Sequence, residues 1–200
     1  RRRCSVYLMG NHEEALIGSP VGFYPLAREA LALTRRRLFR PWWKPWRALG
    51  YRRLLSSLPR LAHRPQCLLV HGSPRDPTSE YLFPRDFLLA DAEVVAELFA
   101  FEQPVCFTGH THIPCVFTAG RNVHSAGEDG MEVRIADDKF IINVGSVGQP
   151  RDRDPRACYV EFTGDRVIYH RIPYDVAATQ RKIIAGGFDQ RLAERLGYGV

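Results

Sequence analysis

The chain has 200 residues, 45% of them hydrophobic, which suits one domain with its own core and leaves little room for a second. Its net charge of +6 is unevenly placed: between Arg28 and Arg64 eleven Lys or Arg face only Glu29, so the remainder is net acidic. No apolar run approaches the ~18 residues that crossing a bilayer requires, and five cysteines without a Cys-x-x-Cys pair argue against a thiolate zinc site or a dithiol redox site. Cys4, Cys67, Cys106, Cys115 and Cys158 read as buried thiols of a reducing compartment, which points to a cytoplasmic protein.

Val6 to Met9 is a short β-rich run ending at Gly10, and reads as a strand delivering Asn11 and His12 onto a loop. A short helix is expected from Glu13 to Ile17. Leu26 to Leu38 has helical composition, but Pro41 and Pro45 break it, because proline lacks the N–H that propagation requires. Ala48 to Leu58 resumes as a second helix and stops at Pro59. Cys67 to Val70 reads as a buried strand running into His71 and Gly72. The prolines at 74 and 77 make the next segment a loop. Asp91 to Phe101 places Val94, Val95, Leu98 and Phe101 on one helical side, which should pack on a sheet. Val105 to Thr108 is again a strand, ending in Gly109 and His110, and Ile113 to Thr118 continues extended. Downstream, residues 131–135, 139–144, 157–162 and 166–172 are strand candidates, the last two joined by a turn at Thr163, Gly164 and Asp165. Val176 to Ala185 is a helix closed by Gly186 and Gly187, and Gln190 to Leu196 adds a further helical turn or two.

Three segments carrying candidate ligands each follow an apolar strand: Asn11-His12, His71-Gly72 and Gly109-His110-Thr111-His112. Open α/β sheets usually form their sites at such strand ends. Imidazole nitrogen and amide oxygen suit divalent Mn, Fe, Ni, Co or Zn, with geometry and supply making the choice. His110 and His112 are two residues apart, so in an extended segment both rings project to one side and into one cleft. Each piece alone is ordinary, since a turn with a solvated ring explains Asn-His and loop chemistry explains His-Gly. The weight rests on the ordered set.

In that order the three segments resemble the metal-site blocks of the calcineurin-like metallophosphoesterase family, and Asn143 to Asp152 and Pro173 to Thr179 resemble its bacterial members. The resemblance covers nearly the whole chain. It implies an α/β, four-layer fold of two facing mixed β-sheets flanked by helices. The family's Asp-x-His and Gly-Asp-x-x-x-x-Gly blocks lie upstream of the Asn-His block, and only nine residues precede Gly10. The chain is therefore expected to be N-terminally truncated, with the first strand-helix units absent. The resemblance further implies two divalent metal ions, with Asn11, His71 and His110 on the second and His112 on the first. His12 would be the catalytic histidine that hydrogen-bonds the phosphate and assists the leaving alkoxide. Arg151 is a candidate for a bidentate contact to substrate phosphate, weighed against a surface ion pair with Asp152 or Asp154. The bacterial members usually have proline where Val144 stands, and valine is expected to relax that loop without removing a ligand.

The resulting expectation is a single domain over residues 1–200 that hydrolyses phosphoesters, as a phosphodiesterase or phosphomonoesterase, with a metal-activated water as nucleophile. Its substrate would be a phosphorylated small molecule or a nucleotide; a phosphoprotein or a dinucleoside polyphosphate is the alternative. The rival class is a binding or scaffold protein that keeps the fold with its chemistry weakened, against which His12 and the four ligands argue. A basic, Trp-rich insert at about 35–55 interleaves arginines with Trp42, Trp43, Trp46 and Tyr51. Such a stretch can bind nucleic acid or lie on an anionic membrane surface. The favoured reading is a solvated helical pair, projecting as a cap over Leu38 to Tyr51, with at least one tryptophan packed back on the body. His63, His124 and His170 read as surface or packing residues, and Arg75 and Asp76 as loop chemistry or the mouth of the cleft.

Overall fold

The computed structural model describes residues 4–40, 45–136 and 138–200. In chain order the strands are β1 (Leu61–His63), β2 (Cys67–Val70), β3 (Val105–Thr108), β4 (Cys115–Thr118), β5 (Val123–Ser125), β6 (Glu132–Arg134), β7 (Phe140–Asn143), β8 (Ala157–Phe162) and β9 (Arg166–Ile172). The larger sheet has the order β1-β2-β3-β7-β4-β5, with β2, β3 and β7 parallel and the flanking pairs antiparallel. The smaller, β6-β9-β8, is antiparallel, because the turn at Thr163 to Asp165 folds β8 straight back onto β9. This is the expected α/β architecture of two sheets with helices, and it refines the expectation of two mixed sheets, since mixed pairing is confined to the larger.

The central strands are buried on both faces, and their alternation assigns each residue to one of two cores. Leu68, Val70, Cys106, Cys115, Phe117 and Ile141 face a core shared with Phe87, Val95 and Leu98. Those three come from α4 (Pro84–Leu89) and α5 (Ala92–Leu98). Cys67, Val105, Phe107, Val116 and Ile142 point the other way, into the core shared with Val167 and Tyr169 of the smaller sheet. Cys67, Cys106, Cys115 and Cys158 are buried free thiols, as their apolar settings imply, whereas Cys4, also expected to be buried, is free but exposed.

A separate small core, around Ala15, Leu16 and Leu31, joins α1 (Asn11–Ile17), α2 (Pro25–Phe39) and α3 (Pro45–Ser56). Arg35 fixes this group by donating to the carbonyls of Leu16 (3.0 Å) and Gly18 (2.5 Å) at the end of α1, where helical carbonyls lack internal partners. Arg37 reaches the Gly186 carbonyl at 2.5 Å, at the end of α6 (Val176–Ala185). Arg52 lies over the Phe39 ring. Several arginines of the basic insert thus work as structural ties. Trp42 and Trp43 lie outside the described residues. Trp46 is 66% exposed, and among the described residues Phe23, Leu38, Phe39 and Leu55 pack against this small core.

Two expectations differ from the structure. Val6 to Met9 is not a strand; the Met9 N–H donates to the Pro59 carbonyl at 2.8 Å. Asn11 and His12 do not sit on a loop but open α1, where the Glu13 carboxylate turns back to accept from the Gly10 N–H at 3.2 Å. Hydrophobic alternation marks both ends of this segment as apolar, but the local carboxylate decides that helix starts at Asn11.

Beyond the smaller sheet, α7 (Gln190–Glu194) leads into α8, a 3-10 turn at Arg195–Gly197. Gly187, at φ 65°, ends α6 in the left-handed conformation that lets the Phe188 N–H return to the Ile183 carbonyl at 3.3 Å. Arg171 of β9 is 4% exposed and ties this region together through the Asp152 carboxylate and the Gly127 carbonyl. Removing one member of a buried ion pair strands the other, at about 3–5 kcal/mol. Arg171→Met is therefore expected to lower unfolding free energy by about 3 kcal/mol in urea denaturation. An unchanged midpoint would show that the pair carries no net stability.

Candidate metal centre

His71 follows β2, and its Nε2 lies 3.0 Å from Asn11 Oδ1 and 3.0 Å from His110 Nδ1. His110 Nε2 lies 3.1 Å from the Ser79 carbonyl, which can only accept, so that nitrogen carries the ring proton and Nδ1 presents a lone pair. Asn11 Oδ1 is likewise an acceptor. One proton on His71 Nε2 cannot satisfy both neighbours well, whereas a cation answers all three. Ligands about 2.0–2.1 Å from one ion and at right angles around it stand about 3 Å apart, so these separations match adjacent positions of one coordination sphere. The residues fit a divalent ion on chemical and geometric grounds.

His112 is held differently. Its Nδ1 donates to the Gln149 carbonyl at 2.7 Å, leaving Nε2 with the lone pair, which is the usual way a backbone carbonyl fixes a ligand tautomer. Among the described residues no hydrogen bond links it to Asn11, His71 or His110, though its ring is close enough to feel the charges of His71 and His12. Of the four expected ligands, three are therefore in direct contact and the fourth is oriented beside them. Among the described residues no group of three or more His, Cys, Asp or Glu side chains is arranged as a metal site; the cluster that forms depends on the amide of Asn11.

The expectation that His110 and His112 project together from an extended segment is not what the backbone does. Both are left-handed, at φ 56° and 62°, a conformation that costs a non-glycine residue about 1–3 kcal/mol. The segment bends so that Thr111 N–H reaches the Gly109 carbonyl at 2.6 Å. Asn143, 1% exposed at the end of β7, secures the bend by donating to Gly109 O at 2.5 Å and engaging Thr111 Oγ1 at 2.9 Å. Its own Oδ1 accepts from Gly145 N–H, and its carbonyl accepts from the Tyr169 hydroxyl at 2.8 Å. The Val144 N–H donates to Thr108 O at 3.0 Å. Valine thus extends the contact between β3 and β7 by a bond that proline cannot make, and tightens the loop it was expected to relax.

The loop after His71 is shaped for close approach. His71 N–H and Gly72 N–H both bond the Pro77 carbonyl, at 3.1 and 2.7 Å. A Cβ on Gly72 would lie 2.5 Å from the Asp76 carbonyl, so only glycine fits. Asp76 caps the N–H groups of Thr78 and Ser79, and Arg75 pairs with Glu80 and Glu97. Ordinary loop chemistry accounts for both. It also carries Ser79 to His110 and stacks Tyr81 on the His110 ring, centroids 3.7 Å apart. His63 and His170 are engaged by Gln103 and Glu161, away from this cluster.

His12 stands edge-on to Phe23, ring centroids 5.0 Å apart. Among the described residues Arg151 makes no ion pair: Asp152 and Asp154 are held by Arg171 and Arg156. Its Nε and Nη2 instead donate to Gln149 Oε1 at 3.2 and 2.8 Å. Arg151 lines a cleft of about 450 Å³ together with Asn11, His12 and His110. Its charge lowers the pKa of His12, His110 and His112. For each of the three, burial is the larger cause. Burial, then His71, brings His110 down to about 4, and burial, then Arg151, brings His112 to about 4. Both rings are thus neutral ligands near pH 7.

No family model matches the chain. It is 36% identical to a metallophosphoesterase from Sphaerobacter thermophilus, whose crystal structure superposes with a TM-score of 0.77 over 96% of this chain and 76% of that one. The chain belongs to the metallophosphoesterase family. Metallophosphoesterase membership makes the protein a metal-dependent phosphoester hydrolase at the level of family. An uncharacterized protein from Methanocaldococcus jannaschii is 29% identical over 96% of this chain and 74% of its own length. A hypothetical protein from Pyrococcus horikoshii shares the fold, with a TM-score of 0.65 at 16% identity over 100% of this chain and 75% of that one. No helix among the described residues is long and apolar enough to cross a membrane.

Sequence reasoning did not single out Asn143, Ser79 or Gln149 as supports of the metallophosphoesterase site. Asn143 left a signal, an amide closing the apolar run of β7. The two carbonyls left none, since any residue carries one. Asn143→Ala removes the side chain that holds the left-handed bend, and loss of such a support typically costs 10–100-fold in metal affinity. Calorimetric titration with Mn²⁺ should show a loss of about tenfold or more; wild-type affinity would show that the bend holds itself. With folded pKa values near 4 against an ordinary 6.5, the unfolded chain binds more protons than the native one between those limits. Stability contributed by neutral His110 and His112 is present above pH 6.5 and is lost as pH falls toward about 4. The melting temperature of the metal-free protein should therefore drop across that window, more in wild type than in a His110→Asn, His112→Asn double variant.

Proposed function

We propose that this metallophosphoesterase hydrolyses phosphomonoesters or phosphodiesters of small molecules or nucleotides, using a pair of divalent ions drawn from Mn, Fe, Ni, Co and Zn. The observation that supports this most is the meeting of Asn11 Oδ1, His71 Nε2 and His110 Nδ1 at separations of 3.0 Å. Those three residues would hold one ion and His112 would contribute to the other. When bound, such ions supply Lewis acidity and an activated water for in-line attack on phosphorus.

The chain's own residues have distinct parts in this reading. Ser79 and Gln149 keep the proton of His110 and of His112 away from the nitrogen that faces the site. Arg151 supplies fixed positive charge for the phosphate oxygens, positioned by Gln149. His12 is neutral in the free protein because burial lowers its pKa. A dianionic phosphate beside it raises that pKa, so His12 can take up a proton with the substrate and pass it to the departing alkoxide oxygen.

Metal content and turnover test the proposal together. The Asp-x-His and Gly-Asp blocks of the family are not among these 200 residues. A chimera carrying those blocks from a family member is therefore expected to hydrolyse a chromogenic phosphodiester with Mn²⁺ faster than the 200-residue chain. His71→Ala in the chimera should lower both bound metal and turnover, whereas His12→Ala should lower turnover alone. A chimera that binds two metals yet hydrolyses no phosphoester would favour a binding or scaffold role. Retention of metal by His71→Ala would place the centre elsewhere.

A further inference from the structure

The cleft beside His12 contains an arginine that the hydrolytic reading does not use. Arg195, on α8, lines the same cavity of about 450 Å³ as Arg151. Neither guanidinium has an Asp or Glu partner among the described residues. The neighbouring acids are committed elsewhere: Asp152 to Arg171, Asp154 to Arg156, Asp189 to Arg191, and Glu194 to the amide of Gln190. Arg195 Nε donates to the Val200 carbonyl at 2.6 Å, which orients the side chain and leaves its Nη atoms to act. Both arginines are half-buried. Burial and the charge of Arg151 lower the pKa of Arg195, as expected of two cations brought together without a counter-ion.

The lining of this cleft also includes apolar side chains. Val21 and Tyr24, both 83% exposed, line it with Phe23 and Leu192. A cleft of a few hundred Å³ with an apolar wall and a few convergent polar groups is the usual form of a small-molecule site. Asn11, His12 and His110 line the same cleft.

Resting on the hydrolytic reading above, we propose that Arg151 and Arg195 form a paired-guanidinium subsite for a second phosphate, and that the substrate is a nucleoside bearing more than one phosphate. One phosphate lies at the histidine cluster, the next between the two arginines, and the base lies against Tyr24. Two guanidiniums give a phosphate more charge-assisted hydrogen bonds than one can, with bidentate geometry available from each. An uncharged or singly phosphorylated compound of the same shape gains less from the pair.

Calorimetry on the metal-free 200-residue chain with adenosine 5′-diphosphate, adenosine 5′-monophosphate and adenosine tests this without turnover. The diphosphate is expected to bind about tenfold or more tighter than adenosine, since a hydrogen bond to a charged group contributes enough for such a factor. Arg195→Ala should cost the diphosphate about tenfold while leaving adenosine unchanged, and Arg195→Lys should restore part of the loss. Circular dichroism of each variant confirms folding. Equal affinity for diphosphate and adenosine, or an Arg195→Ala chain that still prefers the diphosphate by the wild-type factor, would overturn the proposal. Metal uptake by the wild-type chain reports separately on the underlying reading: uptake without diphosphate preference defeats the subsite alone, and absence of uptake defeats the reading on which it rests.

Discussion

Asn143 holds the histidine segment in a shape it would not adopt unaided. Its side chain ties the Gly109 carbonyl to Thr111, and the backbone turns left-handed at His110 between them and again at His112 just beyond. The Gly109 carbonyl thus accepts from the Asn143 amide as well as from the Thr111 N–H, and the amide fixes the turn. Asn143 can do this because it ends β7, which is parallel to β3 and in register with Thr108. The apolar pairing of two buried strands thus sets the position of an amide, and the amide sets the position of two imidazoles. Tyr169 of the smaller sheet completes the support from the other side.

Electrostatics follow from the same placement. Burial favours neutral imidazoles, and Arg151 reinforces this from a position held by Gln149. Gln149 also accepts from His112 through its carbonyl, so one residue sets the tautomer of a candidate ligand and the position of the Arg151 guanidinium together. A neutral donor set beside unpaired arginines suits a bound cation together with an anionic substrate better than either alone. With the acids downstream of Gln149 absorbed by Arg171 and Arg156, that positive field is not cancelled locally.

Much of this was legible in the sequence where short-range physics decides. The ranges of β8, β9 and α6 coincide with those read from alternation, turn residues and a terminal glycine. Two-faced apolar runs at Cys67 to Val70 and Val105 to Thr108 marked central strands, and the ligand candidates do lie just beyond them. What failed was decided by contacts distant in sequence or by single local bonds. The short edge strand β1 and helix α4 carry too little periodicity to announce themselves. Val6 to Met9 has strand composition but is not a strand, and Asn11 enters a helix because Glu13 folds back on Gly10. The geometry of His110 and His112 could not be read from spacing, because an extended segment and a left-handed bend place the same two residues in one cleft by different routes. Arg151 looked like a surface ion pair because Asp152 and Asp154 adjoin it, until the fold brought Arg171 and Arg156 to those carboxylates.

The central claim is that Asn11, His71 and His110 share one ion. Anomalous diffraction from crystals soaked in Co²⁺, recorded on both sides of the cobalt absorption edge, tests it most directly. The account predicts a cobalt peak within bonding distance of Asn11 Oδ1, His71 Nε2 and His110 Nδ1, with His110 Nε2 still on Ser79 O. Cobalt bound elsewhere, or an ordered cluster with no peak between those three atoms at saturating metal, would contradict it.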